Sequence, residues 1–513
     1  MKNENYIALF RFNSLIVFIF ILFILFYSNI FGPVGEFGAY VAIEEWDGIY
    51  GPFFRPLTLN LIPNLMDRMA GKNFALYSSI FSGLFVSGLV AAVFLLRELL
   101  RWASAEEHAL LHLAILTCFG FSNVYVVSTL MVQYTVTDFV FMTGYAVFLL
   151  SVLTILNSRQ IGVRGSLLAA GSLAVMCASK EFTLVVPVVL ALLVALRFRD
   201  AVALGARQPG RLLALLLLLG MVAAIYLALL LSKPTFVAAS LAGAPPPGDD
   251  FIRAGFAKFL SNLGTSLLWL TQAPIRGNYP YVFNPLPLLG PVSSALSWAY
   301  ATILLAGSAV ALLSGRYRRV AMFQLLCIVY WCLVASSNNR VLSSYLAPAF
   351  LHLALLWAFG ALVVLRQIKA LWAQRLVHIG CIGLLCWSFW LGAAVLYSPN
   401  RDVSFHGAMA AVDTQYRSIL RVVVMSHERF IVTFETRGAP DHVPFQLALG
   451  GAFSARTEMV LDGFAVDNPA QSFTVTGRRA GAAMAGEVSH IRVRAEADPA
   501  LGTRLRIMPA TPP

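Results

Sequence analysis

The sequence predicts an all-α polytopic membrane protein over residues 1–397, followed by a small β-rich domain over residues 398–513. Three observations carry this prediction. Apolar residues make up 59% of the 513 positions and charged residues only 12%, whereas a soluble chain carries about 25% charged residues. The mean hydropathy is +0.76. Runs of about 20 apolar residues, each able to cross a hydrocarbon core of about 30 Å, recur through the first four-fifths of the chain.

The first such run is Phe12–Phe31. Lys2 and Arg11 precede it and no small-residue cleavage box follows, so it reads as an uncleaved span with a cytoplasmic N-terminus. Spans at 74–96, 108–127 and 139–157 follow, with Arg97/Arg101 and Arg159/Arg164 marking the cytoplasmic turns. The stretch Ser166–Leu196 contains Lys180 and Glu181 near its middle. As one helix it would invert every later turn and place Arg197, Arg199, Arg207 and Arg211 outside. Two short spans meeting at Lys180–Glu181 keep all the basic turns inside, so charge parity selects the pair. The same parity assigns Phe251–Gln272, with Arg253 and Lys258, to a helix lying at the outer interface. Spans at 212–232, 290–314, 321–337, 345–365 and 376–397 complete a count of about eleven. The tail then lies outside. Its stretches Leu420–Met425, Arg429–Glu435, Ser472–Thr476 and Val488–Val493 read as strands between Gly, Pro and Asp punctuation.

The formal net charge is +12, which raises the question of a nucleic-acid partner. The cytoplasmic segments of this topology carry +11, the outer loops zero and the tail +1. The excess is the positive-inside bias that orients helices, and no nucleic-acid partner is called for. All six cysteines (Cys118, Cys177, Cys327, Cys332, Cys381 and Cys386) fall inside apolar runs. They read as small packing residues rather than as disulfides or metal ligands. His352 and His378, in or at the ends of spans, read as packing or hydrogen-bonded residues.

The chemistry-bearing residues collect on the predicted outer side. The first outer loop, residues 32–73, holds the run Glu44-Glu45-Trp46-Asp47-Gly48. A helix there would place Glu44 and Asp47 on one face, and paired carboxylates raise one another's pKa toward that of a usable proton acceptor. The same run also reads as a solvated acidic turn. Next comes Phe54-Arg55-Pro56-Leu57, whose arginine suits either a phosphate or interfacial anchoring. Ser179-Lys180-Glu181, with Pro187 beyond it, puts an ion pair at the junction of two short spans, where charge is costly and commonly functional, or serves to hold the turn. Asp138 stands at the outer end of the fourth span. Asn338-Asn339-Arg340, shortly before Tyr345, forms another outward turn with one cation. The loop from Arg276 to Pro285 is rich in aromatics and proline and suits lipid or sugar as well as an interfacial belt.

Taken in order and on one side, these residues resemble the GT-C superfamily of multi-pass glycosyltransferases, and within it the bacterial branch related to protein O-mannosyltransferases. The resemblance spans roughly residues 10–365 and leaves out the tail. It implies a polyprenyl-phosphate-linked sugar as donor, a glycan, lipid or protein acceptor, and a place in the cytoplasmic (inner) membrane of the cell. It further implies that a first-loop carboxylate (Glu44, Glu45 or Asp47) deprotonates the acceptor hydroxyl. Arg55, Lys180 and Arg340 would then hold the donor phosphate, supported by Asp138, Glu181 and Tyr345. The family's acidic pair usually contains an Asp, whereas here Glu-Glu precedes a nearby Asp, so the choice of base stays open. A monophosphate donor calls for no metal or other cofactor. Two other classes fit parts of the sequence: a transporter or flippase for lipid-linked glycans, and a non-catalytic membrane scaffold whose tail binds a partner.

Overall fold

A computed structural model describes residues 49–50, 53–54, 56–62, 65, 74–105, 109–120, 136–231, 255–271, 286–337, 346–381, 383, 419, 422–435, 459–467, 472–479, 481–483, 486–498 and 502–508. Two short strands, β1 (Ile49–Tyr50) and β2 (Phe53–Phe54), pair antiparallel and lead into a single π-helical turn at Leu57–Leu61. The helices are α1 (Phe74–Trp102), α2 (Ala109–Gly120), α3 (Val136–Ser158), α4 (Val163–Ser179), α5 (Val186–Leu196), α6 (Phe198–Arg207) and α7 (Pro209–Leu231). They continue with α8 (Phe256–Thr271), α9 (Leu286–Leu313), α10 (Arg318–Ser336) and α11 (Ala347–Gln367). Residues 371–381 are also helical.

Among the described residues, Val140–Ser158, Pro209–Leu229, Arg318–Ser336 and Ala347–Gln367 are long and apolar enough to cross a bilayer. The surroundings of α7 and α11 separate two ways of being apolar. Most of α11, including every residue from Ala347 to Gly360, is buried against neighbouring helices. Helix α7, in contrast, packs chiefly on α4 and exposes Leu213, Leu216, Leu217, Met221 and Ile225. A helix apolar on all sides and open to its surroundings is stable only in lipid. The chain is a helical membrane protein.

Polar side chains fix how the helices run. Asn157, near the end of α3, donates to the Glu98 carbonyl and carboxylate near the end of α1, both at 2.9 Å. Helices α1 and α3 are therefore parallel. Helix α4 turns back after Ser158, and the chain reverses again between α4 and α5. Arg197, just past α5, donates to Asn157 Oδ1 at 2.7 Å and pairs with Asp200 at 2.7 Å. Arg159 reaches the same Asp200 at 3.0 Å, and Gln208 accepts from the Ile161 amide at 2.9 Å. Both ends of the α4–α5 pair thus lie at one face, as charge parity predicts. The two arms splay: α4 packs on α3 and α7, whereas α5 packs on α10. Arg316 donates to the Ser104 carbonyl at 2.7 Å, bringing the α9–α10 turn to this same basic face.

Helices α10 and α11 run antiparallel, shown by the contacts of Gln324 with His352 and of Tyr317 with Phe359. Helix α9 runs parallel to α11, with Trp357 donating to the Ile303 carbonyl at 3.1 Å. The two cross where Gly360 meets Gly307. A Cβ built on Gly360 would fall 1.6 Å from the Gly307 carbonyl oxygen, so only glycine permits this approach.

The tail holds a five-stranded sheet of β3 (Arg429–Glu435), β4 (Met459–Asp467), β5 (Ser472–Arg479), β6 (Val488–Asp498) and β7 (Gly502–Ile507), in the order β4-β5-β3-β6-β7. Only the β3–β6 pair is parallel. Three of the four strands expected from sequence are present. The fourth expectation, a strand at Leu420–Met425, is corrected: residues 422–426 are helical. Val423 and Val424 are both buried while Val422 and Met425 are exposed. A strand sends adjacent side chains to opposite faces, so only a helical turn can bury two neighbours together.

Candidate functional site at the break between α4 and α5

Helix α4 stops where its backbone is diverted. The Ser179 hydroxyl turns back to the Val175 carbonyl, and Lys180 is extended, with φ −158° and ψ 142°. The Lys180 amide still donates to the Met176 carbonyl at 3.0 Å. A single 3₁₀ turn, Glu181–Val185, follows, with the Thr183 hydroxyl donating to the Lys180 carbonyl at 2.9 Å. Pro187 then sits in the first turn of α5, where its missing N–H costs nothing and its fixed φ favours a restart. Lys180 is only 3% exposed. A cation buried at a helix break within an apolar bundle is a feature that membrane proteins seldom keep without use.

The chain segment before α1 meets this break. After Pro56 the chain makes a π-helical turn closed by the Leu61 amide donating to the Pro56 carbonyl at 2.9 Å. Such turns are rare and concentrate at functional sites. Thr58 within it is fully buried and donates its hydroxyl to the Ser179 carbonyl at 3.3 Å. The residue directly after Phe54-Arg55-Pro56-Leu57 is therefore bonded to the first residue of Ser179-Lys180-Glu181, 121 positions away. The π turn also contacts α3, whose first turn carries Asp138. Tyr330 on α10 donates to the Val185 carbonyl at 2.8 Å, closing the far side of the break.

Helix α8 crosses the same end. Asn262 donates to the Ser336 carbonyl at 3.3 Å, and Ser266 shares a 3.1 Å hydrogen bond with the Ser336 hydroxyl. Asn262, Ser266 and Leu270 form its buried stripe, while Phe256, Leu260 and Leu267 are exposed.

Of the residues picked out in the sequence, Lys180 is placed with its surroundings. Asp138 stands in the first turn of α3 and Glu181 opens the 3₁₀ turn, while their side chains lie outside the described residues. Glu44, Glu45, Asp47, Arg55, Arg340 and Tyr345 also lie outside them, as does the loop from Arg276 to Pro285. In sequence, Asp47 lies shortly before β1, Arg55 directly follows β2, and Arg340 and Tyr345 fall between α10 and α11.

Sequence reasoning did not find a buried polar relay in the middle of the bundle. Trp331 Nε1 donates to Tyr145 Oη at 3.2 Å, Tyr145 Oη meets His352 Nε2 at 2.7 Å, and His352 Nδ1 meets Gln324 Oε1. The signal that could have found it was Gln324, a lone amide inside the apolar run of α10. His378 pairs with His112 at 3.1 Å. Cys177, Cys327, Cys332 and Cys381 are buried and free. Among the described residues no three His, Cys, Asp or Glu side chains cluster as a metal site.

Comparison of the chain with protein-family models, with curated proteins and with solved structures finds no match.

Proposed function

We propose that the protein is a membrane glycosyltransferase that moves a sugar from a polyprenyl-phosphate donor to an acceptor hydroxyl, in the manner of the GT-C enzymes its sequence resembles. One observation carries the reading: the Thr58–Ser179 hydrogen bond holds the residue just after Phe54-Arg55-Pro56-Leu57 against the residue before the buried Lys180. The sequence supplies acids upstream of that contact and cations on both sides of it, the two kinds of group the reaction requires.

In this reading a carboxylate among Glu44, Glu45 and Asp47 takes the proton of the acceptor hydroxyl. The acceptor oxygen bonds to the anomeric carbon as the bond from that carbon to the phosphate oxygen breaks. The polyprenyl phosphate leaves with the electron pair, and Lys180, Arg55 and Arg340 stabilise its charge in a site partly shielded from water. Eleven spans, an inside N-terminus and a tail outside the cytoplasmic membrane complete the arrangement.

Incubating the purified protein in lipid nanodiscs with a panel of polyprenyl-phosphate sugars tests the reading. Release of polyprenyl phosphate with at least one donor is the expected result. Intact donor throughout the panel, with and without a glycan, lipid or peptide acceptor, would overturn it.

A further inference from the structure

Helix α6, the short link between α5 and α7 at the basic face, has three distinct sides. Leu204 is its buried anchor, with Ala201 half-buried beside it. Phe198, Val202 and Ala206, each four residues apart, form a second stripe, and all three are exposed, the first two by 64% and 51%. Arg199 and Arg207, also exposed, fill the sector between that stripe and the buried one. Exposed apolar side chains resume on both flanks, with Val163 and Leu167 in the first turns of α4 and Leu213 in the first turn of α7. The Arg159–Asp200 and Ile161–Gln208 contacts join residues 157–164 to residues 197–211 at this corner, where six arginines stand against one carboxylate, Asp200. Arg197 and Arg159 already pair with that carboxylate at 2.7 and 3.0 Å. Arg164, Arg199, Arg207 and Arg211, all exposed, carry the excess. Glu98, near the end of α1, is paired with Arg101 at 2.8 Å, and Glu106 and Glu107 lie outside the described residues.

We infer that α6 is a binding site for anionic phospholipid. It lies in the headgroup layer at the basic face, with Phe198 and Val202 at the acyl boundary and Arg199 and Arg207 on lipid phosphates, flanked by Arg164 and Arg211. Two observations select this occupant together. The exposed apolar stripe of α6 is continuous with the apolar surface that α7 turns to lipid, so the helix stands at the edge of the hydrocarbon layer. An apolar stripe bordered by arginines is the arrangement of a helix lying in a membrane interface, and arginine forks match phosphate bidentately. An aqueous polyanion would satisfy the arginines but leave Phe198 and Val202 in water. The excess of arginine over carboxylate favours lipids with net negative charge over zwitterionic ones, by about 1 kcal/mol for each basic side chain near the surface. Nothing in this assignment requires the transfer chemistry proposed above.

The test titrates the full chain in detergent with phosphatidylglycerol or with phosphatidylcholine of the same acyl chains, and counts bound lipid by native mass spectrometry. Phosphatidylglycerol should bind more tightly. R199Q and R207Q together should weaken it about tenfold or more and leave phosphatidylcholine unchanged. F198S with V202S should weaken both lipids alike, because the acyl boundary is common to them. R318Q with R319Q, on the same face but at the start of α10, should change either affinity less than twofold. If the double arginine change lowers the melting temperature, R199Q alone carries the same test with a loss of about fivefold. Wild-type affinity for phosphatidylglycerol in the α6 variants would overturn the assignment, as would an equal loss in R318Q with R319Q. So would displacement of the lipid by equimolar inorganic phosphate, or binding of polyuridylate to the nanodisc-embedded protein that R199Q and R207Q abolish.

Discussion

Tyr145 on α3 and His352 on α11 share a hydrogen bond of 2.7 Å between Oη and Nε2. Trp331 Nε1, which can only donate, gives a second hydrogen bond to the same phenol oxygen at 3.2 Å, and His352 Nδ1 meets Gln324 Oε1. These contacts lock α3, α10 and α11 together.

Removing the phenol oxygen should therefore be costly although the volume change is small. Tyr145→Phe removes the phenol hydrogen bonds to Trp331 Nε1 and His352 Nε2, each a loss of about 1 kcal/mol. A drop in the melting temperature of the detergent-solubilised protein checks this. In a double-mutant cycle with His352→Leu the two losses should be clearly less than additive. Full additivity would mean that the hydrogen bond contributes nothing.

Arg197 is expected to be the least replaceable charge on the basic face. It is 8% exposed, pairs with Asp200 and Asn157, and lies over the Trp102 ring at 5.3 Å. Arg197→Met should destabilise by about 3–5 kcal/mol, the usual result of breaking a buried pair, read from the midpoint of thermal unfolding. Burial pushes the Asp200 carboxyl up, but hydrogen bonds and charge from Arg197 and then Arg159 outweigh it and hold the group below the usual aspartate range. A depressed folded-state value means that this contribution is present above the ordinary aspartate pKa of about 3.9. It is lost as pH falls through the lowered value. Melting curves of Asp200→Asn against pH should show a shallower acid limb than wild type.

The first-loop acids are tested one at a time, because an amide keeps the shape and removes the base. One of Glu44→Gln, Glu45→Gln and Asp47→Asn should lower turnover about a hundredfold or more, with donor binding within a few-fold of wild type. Glu44 is favoured, since a helix over this run would put Asp47 one turn away. Near-normal turnover in all three would move the search to Asp138 and Glu181.

The orientation is open to reporter fusions. Fusions at Arg207, Arg318 and Asp413 should report inside, inside and outside. An inside signal at Asp413 would change the number of spans by one and put the tail in the cytoplasm.

Much of the helical plan was legible because two coarse forces set it: apolar run length and the sidedness of arginine. The α4–α5 reversal is the clearest case, since parity alone chose a pair of short spans over one long helix. Arg197 and Asn157 then place the two ends together. What could not be read were contacts between residues far apart in sequence. Nothing in Thr58 distinguishes it from other threonines until a π turn aims its hydroxyl at Ser179. Tyr145 and His352, 207 positions apart, look like ordinary packing residues within their own helices. The misread strand at Leu420–Met425 has a similar cause: three successive valines favour a strand locally, and burial of two of them together overrides that preference.

The length of α4 has a mechanical consequence for the lipid around it. Its 17 residues rise about 25 Å at 1.5 Å per residue, against a hydrocarbon layer of about 30 Å. A spanning limb that short would be accommodated by local thinning of the bilayer rather than by stretching of the helix. On the proposed reading, thinning there would bring the headgroup layer, and with it the phosphate of an isoprenoid-linked donor, toward the break. Bilayer thickness would then be a variable of the proposed reaction: thicker lipids should slow encounter with the donor while leaving the protein folded.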